Sequence, residues 1–170
     1  MKYVPTVTGN LIKKFNINDY AEILYTPNNI LLSIPEDYKG KIIVDNGGFL
    51  INALNKDKNR LYDHIDRCIE LINDSRCTFV LPDVIKDHEF TKNITEYFFE
   101  MLRDVKIAIP EMYLEYPQEV EKKFKIKAEF YCCYGRSTQI SDHKNKYHVL
   151  GRPRVYDKDF RSYDSHTEVF

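Results

Sequence analysis

The feature that most narrows the fold is alternation: short runs rich in β-branched and aromatic residues are separated, over most of the chain, by segments whose apolar residues recur at helical spacing. Eight runs read as strands: 2–7 (KYVPTV), 28–34 (NNILLSI), 41–47 (KIIVDNG), 77–84 (CTFVLPDV), 106–113 (KIAIPEMY), 129–135 (EFYCCYG), 147–151 (YHVLG) and 160–165 (FRSYDS). Between them, 10–24 reads as one interrupted helix or two short ones on Leu11, Ile12, Phe15, Tyr20, Ile23 and Leu24. A helix over 60–74 has Leu61, Ile65, Cys68, Ile69 and Ile72 on one face, which leaves His64 on its surface. A third, over 88–105, carries the clearest stripe, Phe90, Ile94, Tyr97, Phe98, Met101, Leu102 and Val105, with Asp87 as its N-cap. A short helix over 117–124 starts at Pro117.

Strands alternating with helices imply parallel pairing through crossover connections. Eight such units in a single domain, 1–170, predict an α/β fold of the (β/α)8, TIM-like kind. The form is compact or truncated, since about 250 residues is typical and about 200 a usual minimum. Its C-terminal crossovers are irregular, because 136–146 (RSTQISDHKNK) and 152–159 (RPRVYDKD) are too short or too broken for a crossover helix. An open α/β sheet is the alternative.

No apolar run reaches the roughly 20 residues a membrane span needs, and the N-terminal segment lacks the apolar core of a secretory signal. A cytoplasmic protein with no membrane partner is expected. Cys68, Cys77, Cys132 and Cys133 are badly placed for a disulfide framework and are expected as buried thiols. Charge is uneven: residues 1–120 carry a net −5 and residues 121–170 a net +4. A basic C-terminal third suits phosphates, although Lys122, Lys123, Lys125 and Lys127 also suit a solvated helix face. A homodimer is a further expectation, because so small a barrel leaves apolar surface on its thin C-terminal side.

In parallel α/β folds the working face lies at the carboxyl ends of the strands. Three predicted strands end in a carboxylate there: Asp45 in IIVDNGG, Asp83 in FVLPD and Asp164 in RSYD. Each has a structural alternative: a hairpin turn at Asp45-Asn46-Gly47-Gly48, loop organisation at Asp83, and a frayed tail at Asp164. Glu111 and Arg136 also stand at strand ends, while His148 reads as a core residue. The sequence contains no HxH, HExxH or CxxC, so neither a metal nor another cofactor is expected.

Four motifs in order, VDNGGF (44–49), LPDV (81–84), HVLG (148–151) and SYDS (162–165), resemble those of tRNA-guanine transglycosylases and related DNA 7-deazaguanine transglycosylases. The resemblance spans roughly 28–166. It implies a (β/α)8 barrel that exchanges guanine in a polynucleotide, DNA or tRNA, for a 7-deazaguanine base. It assigns Asp164 as the nucleophile that attacks C1′, Asp45 as the carboxylate beside the reacting sugar, and Asp83 as the reader of the base. Asn46, Gly47 and Gly48 would let a flipped nucleotide approach the backbone, with Gly135 and Arg136 as approximate counterparts of a Gly-Gly-Leu segment. The transfer-RNA enzymes carry a zinc-binding cluster of three cysteines and a histidine that this sequence lacks, which is closer to the DNA-acting branch. Carboxylates suit these roles chemically: one accepts paired N–H donors from a guanine edge, another stabilises an oxocarbenium-like carbon. A barrel that binds nucleic acid or a partner protein without catalysis is the alternative, and a small-molecule glycosidase a third reading.

Overall fold

A computed structural model of the chain describes residues 2–7, 16–27, 34–48, 51, 56–84, 87–112, 115–134, 147–150 and 165–169. It is an α/β structure. Strands β2 (Glu22–Tyr25), β3 (Lys41–Val44), β4 (Cys77–Val80), β5 (Ile107–Pro110) and β6 (Phe130–Tyr134) form an all-parallel sheet in chain order. Among the described residues, helices α1 (Arg60–Cys68), α2 (His88–Met101) and α3 (Tyr116–Phe124) accompany it. β1 (Lys2–Val7) adds in parallel to β2, and β7 (Tyr147–Leu150) in parallel to β6. β8 (Ser165–Val169) runs antiparallel to both β7 and β1. No helix among the described residues is long and apolar enough to cross a membrane.

The sheet buries both faces, as parallel sheets do. Leu24, Ile43, Val80, Ala108, Phe130 and Cys132 form one cluster. The alternate residues, among them Ile23, Ile42, Val44, Phe79, Leu81, Ile107 and Ile109, pack with the helices in a second. α1 contributes Leu61, His64, Ile65 and Cys68, and α2 contributes Ile94 and Phe98. Fully burying a Leu, Ile or Phe side chain is worth about 1.5–3 kcal/mol, so these stripes hold the helices to the sheet. Asp87 caps α2 by accepting from the Phe90 N–H at 3.1 Å, and α3 carries a proline in its first turn and closes on Lys125 at φ 54°.

Five expectations are corrected, the first being Ile69, expected on the buried face of α1 but 38% exposed just past the helix end at Cys68. The second strand is Glu22–Tyr25, inside the segment read as helical; residues 28–33 lie outside those described. All four of its residues are buried, and a short run apolar on both faces cannot be told from a helix by periodicity. The last strand starts after Asp164 instead of ending on it, and it is antiparallel. Residues 151–164 between β7 and β8 are as many as a parallel crossover needs, so the direction of β8 is not set by the length of the connection. Met101, expected in the α2 stripe, is 37% exposed, because the helix ends there and Leu102 turns in to 0%. His64, expected on the surface of α1, is buried.

Candidate active site

β2 and β3 run side by side until Tyr25 meets Val44, so Thr26 and Asp45 are the next residues off the two carboxyl ends. Alternation gives them the parity of Leu24 and Ile43, on the face away from the helices. The Asp45 N–H donates to the Tyr25 carbonyl at 2.8 Å and the Thr26 hydroxyl donates to Asp45 Oδ2 at 3.3 Å. Asp45 stays half-buried, with solvent on one side.

The next residues turn inward. Asn46 is buried, and its Nδ2 donates to the Leu81 carbonyl at 3.0 Å and to Asp83 Oδ1, while its Oδ1 accepts from the Gly48 N–H at 2.8 Å. One amide therefore ties the β3 exit to the β4 exit. Gly47 stands at φ 72°, a left-handed conformation that glycine adopts without penalty. Gly48 is closely packed: a Cβ there would lie 3.0 Å from Asn46 Oδ1 and 3.2 Å from the Asp83 carbonyl, so those neighbours would have to give by a few tenths of an ångström.

Asp83 is 1% exposed. The backbone just beyond it is bound to α2, where Thr91 Oγ1 accepts from the Val84 N–H at 2.9 Å and donates to the Val84 carbonyl at 3.3 Å. Asp87 receives the Lys58 amine at 2.6 Å, and that bond with the Phe90 N–H holds its carboxyl below the ordinary 3.8. Glu111, after β5, is half-buried, its N–H bonded to the Cys132 carbonyl at 2.8 Å.

Of the residues singled out in the sequence, the structure brings together Asp45, Asn46, Gly47, Gly48 and Asp83 at the ends of β3 and β4. Gly135, Arg136 and Asp164 lie outside the described residues, as does the side chain of His148. Ser165, which follows Asp164 in the chain, pairs with Pro5 near the carboxyl end of β1. The reversed direction of β8 thus starts that strand on the face where β1 ends.

Two groups at the site escaped the sequence reading. Thr26 follows EILY as Asp45 follows KIIV, but Ile23 and Leu24 continue a helical spacing and hide that strand end. His64 continues the stripe of Leu61, Ile65 and Cys68, and that spacing was the signal for it. Burial, with the nearby Asp45 and Cys77, pushes the Cys68 thiol up to about 12. Among the described residues no group of three or more His, Cys, Asp or Glu is disposed to hold a metal. A cavity of about 150 Å³ between α2 and α3, lined by Lys92, Thr95, Tyr116, Glu119 and Lys123, lies away from the strand ends.

No protein-family model, curated protein or solved structure matches this chain. Chemically, the site presents one half-exposed carboxylate steadied by a hydroxyl, backed by a second carboxylate that is buried and bonded to an amide. The first can stabilise a developing positive charge or carry a proton. The second holds two loops in place.

Proposed function

We propose that the chain is a base-exchanging glycosyltransferase acting on a polynucleotide, DNA or tRNA, built on a compact eight-stranded relative of the (β/α)8 barrel. The observation that carries the reading is Asp45: a half-exposed carboxylate at the carboxyl end of a parallel strand, oriented by Thr26, where the four ordered motifs ask for a carboxylate beside a reacting sugar. In this mechanism an Asp164 oxygen attacks C1′ as the C1′–N9 bond breaks, and guanine departs with a proton at N9. The nitrogen of the incoming 7-deazaguanine then attacks C1′, breaks the ester to Asp164 and gives up its proton. Asp45 stabilises the oxocarbenium-like centre and carries the proton between the leaving and entering bases.

Asn46, Gly47 and Gly48 are buried, the glycines against His64 and Asp83, so the turn they form has to open before a flipped nucleotide approaches it; Gly135 and Arg136 are assigned to the base. For Asp83 to read that base, Asn46 must release its carboxylate on binding. The test is incubation with polynucleotide carrying labelled guanine and a 7-deazaguanine base. Guanine is released and a protein–nucleic acid adduct survives denaturation; both disappear in Asp164→Ala, and release falls in Asp45→Ala. Unchanged release from Asp164→Ala defeats the assignment.

One observation favours a second reading, a barrel that binds nucleic acid without catalysis: Asp83 is buried against Asn46 and does not present itself to a base. Salt-sensitive binding that survives Asp45→Ala and Asp164→Ala, with no base exchange in wild type, supports that reading.

A further inference from the structure

His64 lies beneath the Asp45 loop and is 3% exposed. Its Nε2 is 2.7 Å from the main-chain oxygen of Asp45. A carbonyl only accepts, so Nε2 carries the proton and, in the neutral ring, Nδ1 is an acceptor. That Nδ1 is buried with no hydrogen-bond partner among the described residues. It faces Gly47, where a Cβ would stand 3.0 Å away. The space around the ring is too tight for a water molecule, and β4 and α2 line it with Phe79, Val80 and Phe98, none of them charged. Among the described residues, the charged and titratable groups near it are Asp45 from the end of β3 and Arg67 and Cys68 from α1 itself.

We propose that His64 is the positioning residue of the Asp45 site: as the neutral Nε2–H tautomer it clamps the Asp45 carbonyl and fixes where that carboxylate stands, and protonation at Nδ1 opens the clamp. A proton on Nδ1 creates a donor aimed at Gly47 with no acceptor bonded to it among the described residues, in a space with no room for water. The loop from Asp45 to Gly48 has to move to solvate it. Burial, helped by Arg67 and opposed by Asp45, lowers the pKa below the ordinary 6.5, so the clamp is closed at neutral pH. The functional half of this inference rests on the proposed role of Asp45; the clamp does not.

The test uses the full chain, with His64→Gln, which keeps an N–H donor and removes the titration, and His64→Phe, which keeps ring volume and removes the donor. Histidine ¹⁵N NMR is expected to show the Nε2–H tautomer at neutral pH. Corrected for intrinsic rates, amide-exchange protection at Asp45 and Gly48 falls by up to about tenfold per pH unit below the His64 pKa in wild type. It is pH-independent in His64→Gln and low throughout in His64→Phe. In base exchange, His64→Phe lowers kcat with KM little changed, and His64→Gln restores kcat while removing the His64 limb from the acid side of the profile. An Nδ1–H tautomer or an imidazolium at neutral pH overturns the clamp, as does equal pH dependence in His64→Gln. If wild type exchanges no base, the proposed function fails, while the tautomer and the amide protection still decide on the clamp.

Discussion

Replacing Asn46 by alanine removes three hydrogen bonds at once from a buried place. Two are to neutral backbone groups, the Leu81 carbonyl and the Gly48 N–H, and the third is to the Asp83 carboxylate. A neutral bond is worth about 1 kcal/mol net and one to a charged group about 1.5–3 kcal/mol, so the loss is about 3–5 kcal/mol. That is a large part of the roughly 5–15 kcal/mol that holds a domain folded. Urea unfolding followed by circular dichroism reads it directly: at a slope of about 2 kcal/mol/M, a loss of about 4 kcal/mol moves the midpoint down by about 2 M. Asn46→Asp sharpens the test, since it keeps the shape but sets a second carboxylate against Asp83. It is expected to be at least as unstable as the alanine variant at neutral pH. It should regain stability as pH falls, because like charges raise the folded pKa of the pair and a shared proton restores the bridge. An alanine variant within about 1 kcal/mol of wild type at unchanged slope, below the range of even one charged bond, refutes the view that Asn46 fastens the two loops.

Gly47→Ala meets both a left-handed φ and the His64 ring at 3.0 Å, and is expected to cost about 1–3 kcal/mol, seen in calorimetry as a melting temperature lowered by several degrees. The Asp87 carboxyl is held below its ordinary 3.8, so its contribution is complete above that value and is lost as pH falls through the folded pKa. The difference in melting temperature between wild type and Asp87→Ala is therefore expected to narrow from about pH 5 to about pH 2. Burial pushes the Cys68 and Cys77 thiols up to about 12. Iodoacetamide at about pH 8 is expected to leave both unmodified in the native protein and to label them on unfolding, as mapped by peptide mass spectrometry.

The strands from β3 to β7 were legible because each is an apolar run set off by turn residues or a helical segment, and α2 because its stripe and its cap agree. β2 was not, since Ile23 and Leu24 are both buried and no alternation marked them. The direction of β8 was not legible from its own residues, which carry no mark of whether a strand pairs parallel or antiparallel. At the site, Asp45 and Asp83 looked alike, each a carboxylate closing an apolar run. Their environments differ because Asn46 reaches Asp83 from 37 positions away, a pairing no local pattern announces.

The pairing of β1 with β8 has a consequence for how the molecule comes together. Lys2 meets Glu168 and Pro5 meets Ser165, so β1 waits until β2 to β7 and β8 itself have been made before its second neighbour exists. Closing so long a loop slows folding more than it costs stability. Until β8 arrives, β1 and β7 each offer an unpaired backbone edge, a template for the strand of another chain. The interval between synthesis of β7 and docking of β8 is when the molecule is most exposed to aggregation or to strand exchange with a second copy.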